Sequence, residues 1–206
     1  MKTVLLTGPV GSGKSAVSAL LREQGIPVYD SDVRTKALYD RRPALVRRLE
    51  QALGVPLLNA QGSLDRAALA RCIFADDAAR EKLEAIVYPA VLQDFRRWRS
   101  RQKAPFVVLE SAVAHTKPVF DGVWDVAVLV TAPPELRISR VMARSGWSRE
   151  QVLARMRAQS FPEDAFQEVI VNDGSREQLA EEVRRVFSDK NAYICKLLKP
   201  EEYHEN

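Results

Sequence analysis

The chain has little cysteine and little histidine: two of each in 206 residues. Cys72 and Cys195 lie far apart with no second pair and no nearby histidine, which excludes a disulfide framework and a zinc site and leaves two ordinary thiols. No apolar run approaches the roughly 18 residues that a membrane span needs. The sequence reads directly into a strand pattern, so no signal peptide is expected. The expectation is a cytoplasmic protein with no membrane partner. There is no internal repeat, no low-complexity linker, no Asn-Lys-x-Asp and no Asp-x-x-Gly, which argues against a guanine-nucleotide switch. What is present is ordinary globular usage, 46% hydrophobic and 28% charged, enough for one α/β core with an insertion. The net charge is +4 and 22 of the 31 basic residues are arginine, whose guanidinium fork suits phosphate oxygens. These arginines are interleaved with acids along helical stretches, the densest group being Arg96, Arg97, Arg99 and Arg101, so most read as solvated helix faces and no specific nucleic-acid partner is expected.

One stretch carries chemistry. Lys2 to Thr7 reads as a buried strand, followed by Gly8-Pro9-Val10-Gly11-Ser12-Gly13-Lys14-Ser15, the full spacing of a phosphate-binding loop. Ala16 to Gln24 then continues as a helix that Gly25 ends. Glycines at 8, 11 and 13 let successive amides turn inward on an anion at the positive end of the helix. Lys14 supplies a point charge for the β- and γ-phosphates, and the Ser15 hydroxyl is a ligand for Mg²⁺. The candidate triphosphate contacts are Gly8, Gly11, Ser12, Gly13, Lys14, Ser15 and Ala16, with Lys14 also catalytic.

Further along, Ile26 to Tyr29 reads as a second strand running into Asp30-Ser31-Asp32. Strand ends deliver side chains to the ligand side of a parallel sheet, so one carboxylate there can accept a hydroxyl proton and the other hold Mg²⁺. We assign Asp32 to the base and Asp30 to metal and substrate. The competing reading is an N-cap for a helix from Val33 to Tyr39. From Asp40 to Phe95 the pattern is helical, with segments at Pro43–Leu53, Asp65–Phe74 and Ala78–Val87, a break at Tyr88-Pro89, and a further helix from Ala90 to Arg101. Pro105 to Leu109 is a strand that ends at Glu110, a carboxylate placed either to contact the metal's water or to serve structure. Asp125 to Val130 is a fourth strand. Two helices follow, from Pro134 and from Arg149 to about Ser160, hinged at Ser145-Gly146-Trp147-Ser148. They bring Arg140, Arg144 and Arg155 towards a γ-phosphate as a lid, with Arg140 the catalytic member; a plain surface hairpin is the alternative. Phe166 to Val171 is a last strand. The turn Asn172-Asp173-Gly174 after it offers backbone at Asn172 and Gly174 to an adenine ring. Arg176 to Phe187 is the final helix, and from Asp189 on the chain reads as a loose polar tail.

Thr7-Gly8-Pro9-Val10-Gly11-Ser12-Gly13-Lys14-Ser15, Asp30-Ser31-Asp32, Leu64-Asp65-Arg66, Ile73-Phe74, Arg155-x-x-x-Gln159 and Val169-Ile170-Val171-Asn172-Asp173-Gly174 together resemble the dephospho-coenzyme A kinases, over about residues 3 to 187. The resemblance implies ATP- and Mg²⁺-dependent phosphorylation of the ribose 3′-hydroxyl of dephospho-coenzyme A, the last step of coenzyme A synthesis. It implies an α/β fold: a three-layer P-loop core with a five-stranded parallel sheet over about 1–34, 96–134 and 160–188. A helical substrate insertion at about 35–95, a lid at about 135–159 and a tail at 189–206 complete it. It also implies acceptor contacts at Asp30, Arg66, Tyr88, Arg155 and Gln159. Two stretches depart from the family pattern. Tyr88-Pro89 stands for His-Pro, and Ala112-Val113-Ala114-His115-Thr116 for Pro-Leu-Leu-Phe-Glu, with Glu110 the candidate to replace the lost carboxylate. The loop alone leaves another acceptor open: a nucleoside, a nucleotide or a sugar acid.

Overall fold

In a computed structural model, residues 1–188 and 193–198 are described. They form two compact units, residues 30–101 and the remainder.

The larger unit is built on β1 (Lys2–Thr7), whose last five residues are buried, as a central strand covered on both faces requires. β3 (Phe106–Glu110) and β4 (Val126–Thr131) flank it in parallel, and β5 (Glu168–Val171) extends the sheet in parallel beyond β4. With β2 (Val28–Asp30) beside β3, the sheet has five strands in the order β2-β3-β1-β4-β5. Leu6 faces Glu110 and Thr7 faces Leu129 in the register, so β1, β3 and β4 run out at the same edge. The phosphate loop leaves β1 there.

Two helices cover one side of the core. α1 (Lys14–Glu23) buries Val17, Leu20 and Leu21. α8 (Arg176–Phe187) buries Leu179, Val183, Val186 and Phe187, and its start is fixed by a capping box between Ser175 and Gln178. The expected loose tail is corrected in part. A short helix, α9 (Tyr193–Leu198), follows, and Ile194, fully buried, joins the core cluster of α1, α8 and the sheet. Burial of the Ile194 side chain is the apolar contact that docks this helix. The rest of that expected tail, 189–192 and 199–206, lies outside the described residues.

On the chain between β4 and β5, α6 (Pro134–Ser145) and α7 (Arg149–Arg157) form a hairpin with its own small core of Ile138, Val141 and Val152. The segment expected as a hinge at its tip is a hydrogen-bonded turn. Gly146 sits at φ +67 and returns its N–H to Met142, Ser148 makes a capping box with Gln151, and Arg149 grips Glu135 through two hydrogen bonds of 2.6 and 2.8 Å.

The second unit is helical: α2 (Ser31–Arg41), α3 (Pro43–Leu53), α4 (Arg66–Ala75) and α5 (Asp77–Arg99), with α2, α3 and α4 all packed on α5. Its limits are wider than the 35–95 expected of the insertion because α2, which starts at Ser31, packs on α3 and α5. The break expected at Tyr88-Pro89 is absent. α5 runs through Pro89 as one helix of 23 residues. A proline inside a helix removes one hydrogen bond and costs about 3 kcal/mol. Val87 on one side of it and Val91, Leu92 and Phe95 on the other are buried, and that packing holds the axis together. Among the described residues no helix is long and apolar enough to cross a membrane.

Candidate active site

The phosphate loop has the geometry its glycines permit. Gly11 and Gly13 have φ of +80 and +96, and α1 starts directly from Gly13. A Cβ on Gly13 would overlap the Asn172 Nδ2 atom, so this glycine is demanded both by its backbone conformation and by the neighbour packed against it. Lys14 folds back over the loop, and its Nζ donates to the Gly8 carbonyl at 2.7 Å. It also lies 3.5 Å from the Pro9 carbonyl, so the loop's own main chain orients the charge. Ser12 contributes through its backbone, its Oγ being buried with no hydrogen-bond partner among the described residues.

Below the loop, Glu110 ends β3 with only 7% of its surface exposed. Its Oε2 accepts a hydrogen bond of 2.6 Å from Ser18 Oγ, and its Oε1 lies 3.5 Å from Ser15 Oγ, which donates to it. A buried carboxylate beside the Ser15 hydroxyl is a set of hard oxygen donors, the chemistry that Mg²⁺ prefers when substrate phosphates complete its shell. Among the described residues no group of three or more His, Cys, Asp or Glu side chains forms a metal cage of its own.

A cavity of about 480 Å³ opens beside the loop, lined by Gly13, Ala16, Ala19 and Leu20 on one side and by Arg140, Asn172, Gly174 and Leu179 on the other. Glu23 and Arg176 form an ion pair among its lining residues. Asn172, 6% exposed, organises this wall with its side chain. Its Nδ2 donates to the Ser12 carbonyl at 2.8 Å, while its own carbonyl accepts from Arg140 Nη1 at 3.0 Å. The sequence offered the backbone of this turn to a base; the side chain's grip on the loop was not foreseen. Arg140, half-buried, spends two of its five donors on Asn172. Arg144 and Arg155 are exposed and pair with no carboxylate among the described residues.

The lid sequence meets the loop elsewhere. Gln159 Oε1 accepts from the Val10 N–H at 2.9 Å, and Arg137 Nε donates to the Val10 carbonyl at 3.1 Å. The resemblance implies an acceptor contact for Gln159, and no sequence motif marks Arg137. Desolvation lowers the Arg137 pKa from its ordinary value. His115, at a departure from the family pattern, is a bridge: Nε2 lies 3.0 Å from the Ser160 carbonyl, Nδ1 lies 3.4 Å from Thr7 Oγ1, and its ring stacks on Phe161.

In the helical unit, Asp30 caps α2, its Oδ1 accepting from Val33 N–H at 2.9 Å. The helix starts at Ser31 rather than Val33, so Asp32 lies in its first turn, where a carboxylate is favoured by the helix dipole. Tyr88 is brought close to Asp32, Tyr39 and Glu84. Burial first, then its hydrogen bond to Glu84 and these neighbouring negative groups, hold its phenol protonated well above the ordinary range. Burial pushes the Tyr39 phenol up to about 12. Arg66, at the start of α4, makes an exposed ion pair with Asp40 at 3.5 Å.

Residues 2–189 match the dephospho-CoA kinase family. The chain is 41% identical over 190 residues to a dephospho-CoA kinase of Thermus thermophilus, covering 89% of each, and 37% identical over 176 residues to that of Porphyromonas gingivalis, covering 84% of this chain and 86% of the other. It is also similar to the crystal structure of TT1252 from Thermus thermophilus, with a TM-score of 0.72 and 42% identity over 86% of this chain and 92% of that one. Loop, sheet order and near-complete alignment agree, and the chain belongs to the dephospho-CoA kinase family.

Proposed function

We propose the residues with which this chain performs its family's reaction, the ATP-dependent phosphorylation of dephospho-CoA to CoA. The observation that carries the assignment is the phosphate loop, in which Lys14, Ser15 and the buried Glu110 are ordered around one helix N-terminus. The triphosphate lies along Gly8, Gly11, Ser12, Gly13, Lys14, Ser15 and Ala16, and the nucleoside occupies the neighbouring cavity at Asn172 and Gly174. Ser15 and Glu110, with Asp30 as the further candidate, would hold Mg²⁺, which when bound spreads charge off the β- and γ-phosphates.

The ribose 3′-hydroxyl of dephospho-CoA attacks the γ-phosphorus as the bond to the β-phosphate oxygen breaks, and its proton passes to Asp32. Lys14 and Arg140, which retains unused donors, stabilise the charge that gathers on the transferring group and the departing ADP. Arg144 and Arg155 are the lid's additional cations. The acceptor contacts Asp30, Arg66 and Tyr88 in the helical unit. The setting is the cytoplasm, consistent with two free thiols.

Asp32→Asn preserves shape and removes the base. Single-turnover phosphoryl transfer to dephospho-CoA should fall by roughly 10²- to 10⁴-fold while ATP and acceptor still bind. Transfer at the parent rate would take the base away from Asp32.

A further inference from the structure

One residue of the phosphate loop, Val10, is held from three sides by the lid sequence. The Val10 N–H donates to Gln159, the Val10 carbonyl accepts from Arg137, and the Val10 side chain packs against the Ile138, Val141 and Val152 cluster of the hairpin. Arg137 lies in α6 and Gln159 just beyond α7, so the chain enters and leaves the hairpin at the two main-chain polar groups of the same residue. The exit is anchored in turn, because His115 ties Ser160 and Phe161 to Thr7, the residue before Gly8.

Packing alone does not call for this arrangement. Arg137 is partly desolvated and faces no carboxylate ion pair among the described residues, yet it directs its guanidinium to a main-chain carbonyl, where an apolar side chain would cost less. Gly11 adds a steric reason: a Cβ there would approach the Arg137 carbonyl to 2.6 Å, so the loop is shaped to admit α6.

We infer that Arg137 and Gln159 are positioning residues for ATP: they clamp the two peptide groups on either side of the Val10 Cα, so that the lid fixes the loop conformation that receives the phosphates. This rests on the loop being the ATP site. A clamp that preorganises the loop acts equally on bound ATP and on the transition state. Its loss therefore raises KM for ATP and leaves kcat in place. Releasing one peptide group also frees the Val10 φ and ψ and so loosens the hold on the other, and the two residues are coupled through Val10.

The experiment compares the parent with Arg137→Met, Gln159→Ala and the double variant in the full-length chain, by calorimetric ATP binding and by steady-state kinetics in both substrates. Arg137→Lys replaces Arg137→Met should the latter's melting curve show that it does not fold. Each single variant should weaken ATP roughly 3- to 10-fold, the range of one hydrogen bond, with kcat and KM for dephospho-CoA within about twofold of the parent. The double variant should fall clearly short of the product of the two single effects. Multiplicative losses would mean independent contacts and overturn the clamp, as would unchanged ATP affinity. A rise in KM for dephospho-CoA alone on Gln159→Ala would return Gln159 to the acceptor site and overturn it as well. A parent that does not bind ATP would instead refute the ATP-site reading.

Discussion

Asn172→Ala isolates the strut between the last strand and the phosphate loop. In the parent, the amide makes a 2.8 Å hydrogen bond to the Ser12 carbonyl and its Oδ1 accepts a longer bond of 3.4 Å from Arg140. Truncation leaves the Ser12 carbonyl without its buried donor, a penalty of about 1–3 kcal/mol, and leaves the long Arg140 bond, worth much less at that distance, to water. For a chain of this size that corresponds to a fall in melting temperature of about 2 to 12 °C. The backbone carbonyl of residue 172 survives the substitution, so Arg140 keeps its 3.0 Å bond and the cavity wall persists. Calorimetric melting, with and without ATP, measures both consequences. The variant should melt below the parent, and it should bind ATP more weakly because part of the binding energy is spent ordering Ser12 and Gly13. Asn172→Asp separates the causes: it preserves size and the acceptor for Arg140 but removes the donor, so it should follow the alanine variant in ATP affinity. The reasoning fails if Asn172→Ala melts and binds as the parent does, or if Asn172→Asp binds ATP normally.

Two other expectations are direct. Lys14→Ala should lower turnover by about 10²-fold or more with an unchanged melting profile, since the ammonium is a partly exposed charge resting on the loop's own carbonyl; near-normal turnover would remove it from the chemistry. In the helical unit, Tyr39 and Tyr88 both hold their protons beyond the range of a free phenol, Tyr39 to about 12. Unfolded tyrosine ionises near 10, so the stability due to these groups is complete below about pH 10 and is lost as pH rises towards the folded value. Absorbance titration should therefore show tyrosine ionisation above pH 10 that diminishes in Tyr39→Phe and in Tyr88→Phe, and Tyr88→Phe should flatten the alkaline fall in stability. A single step near pH 10 for every tyrosine would contradict the burial of both rings.

The sequence by itself determined what short-range chemistry encodes. Glycine spacing between residues 8 and 13 specifies a loop that L side chains cannot follow, and β1 and α1 on either side of it are legible as an apolar run and an amphipathic turn. The caps at Ser148 and Asp65 are similarly local, a side chain reaching an amide two or three residues on. The helical path through Pro89 was decided otherwise, since the residue's own preference is to break the helix and only the packing of its neighbours overrides it. The same holds for the site's supports. Asn172 meets Ser12 across 160 positions, Gln159 meets Val10 across 149, Arg137 meets Val10 across 127, and Ser18 meets Glu110 across 92. Nothing in the local spacing of these residues chooses their partners. The order in which the strands assemble brings them to one edge of the sheet, and the cost of burying an unpaired polar group then fixes each bond.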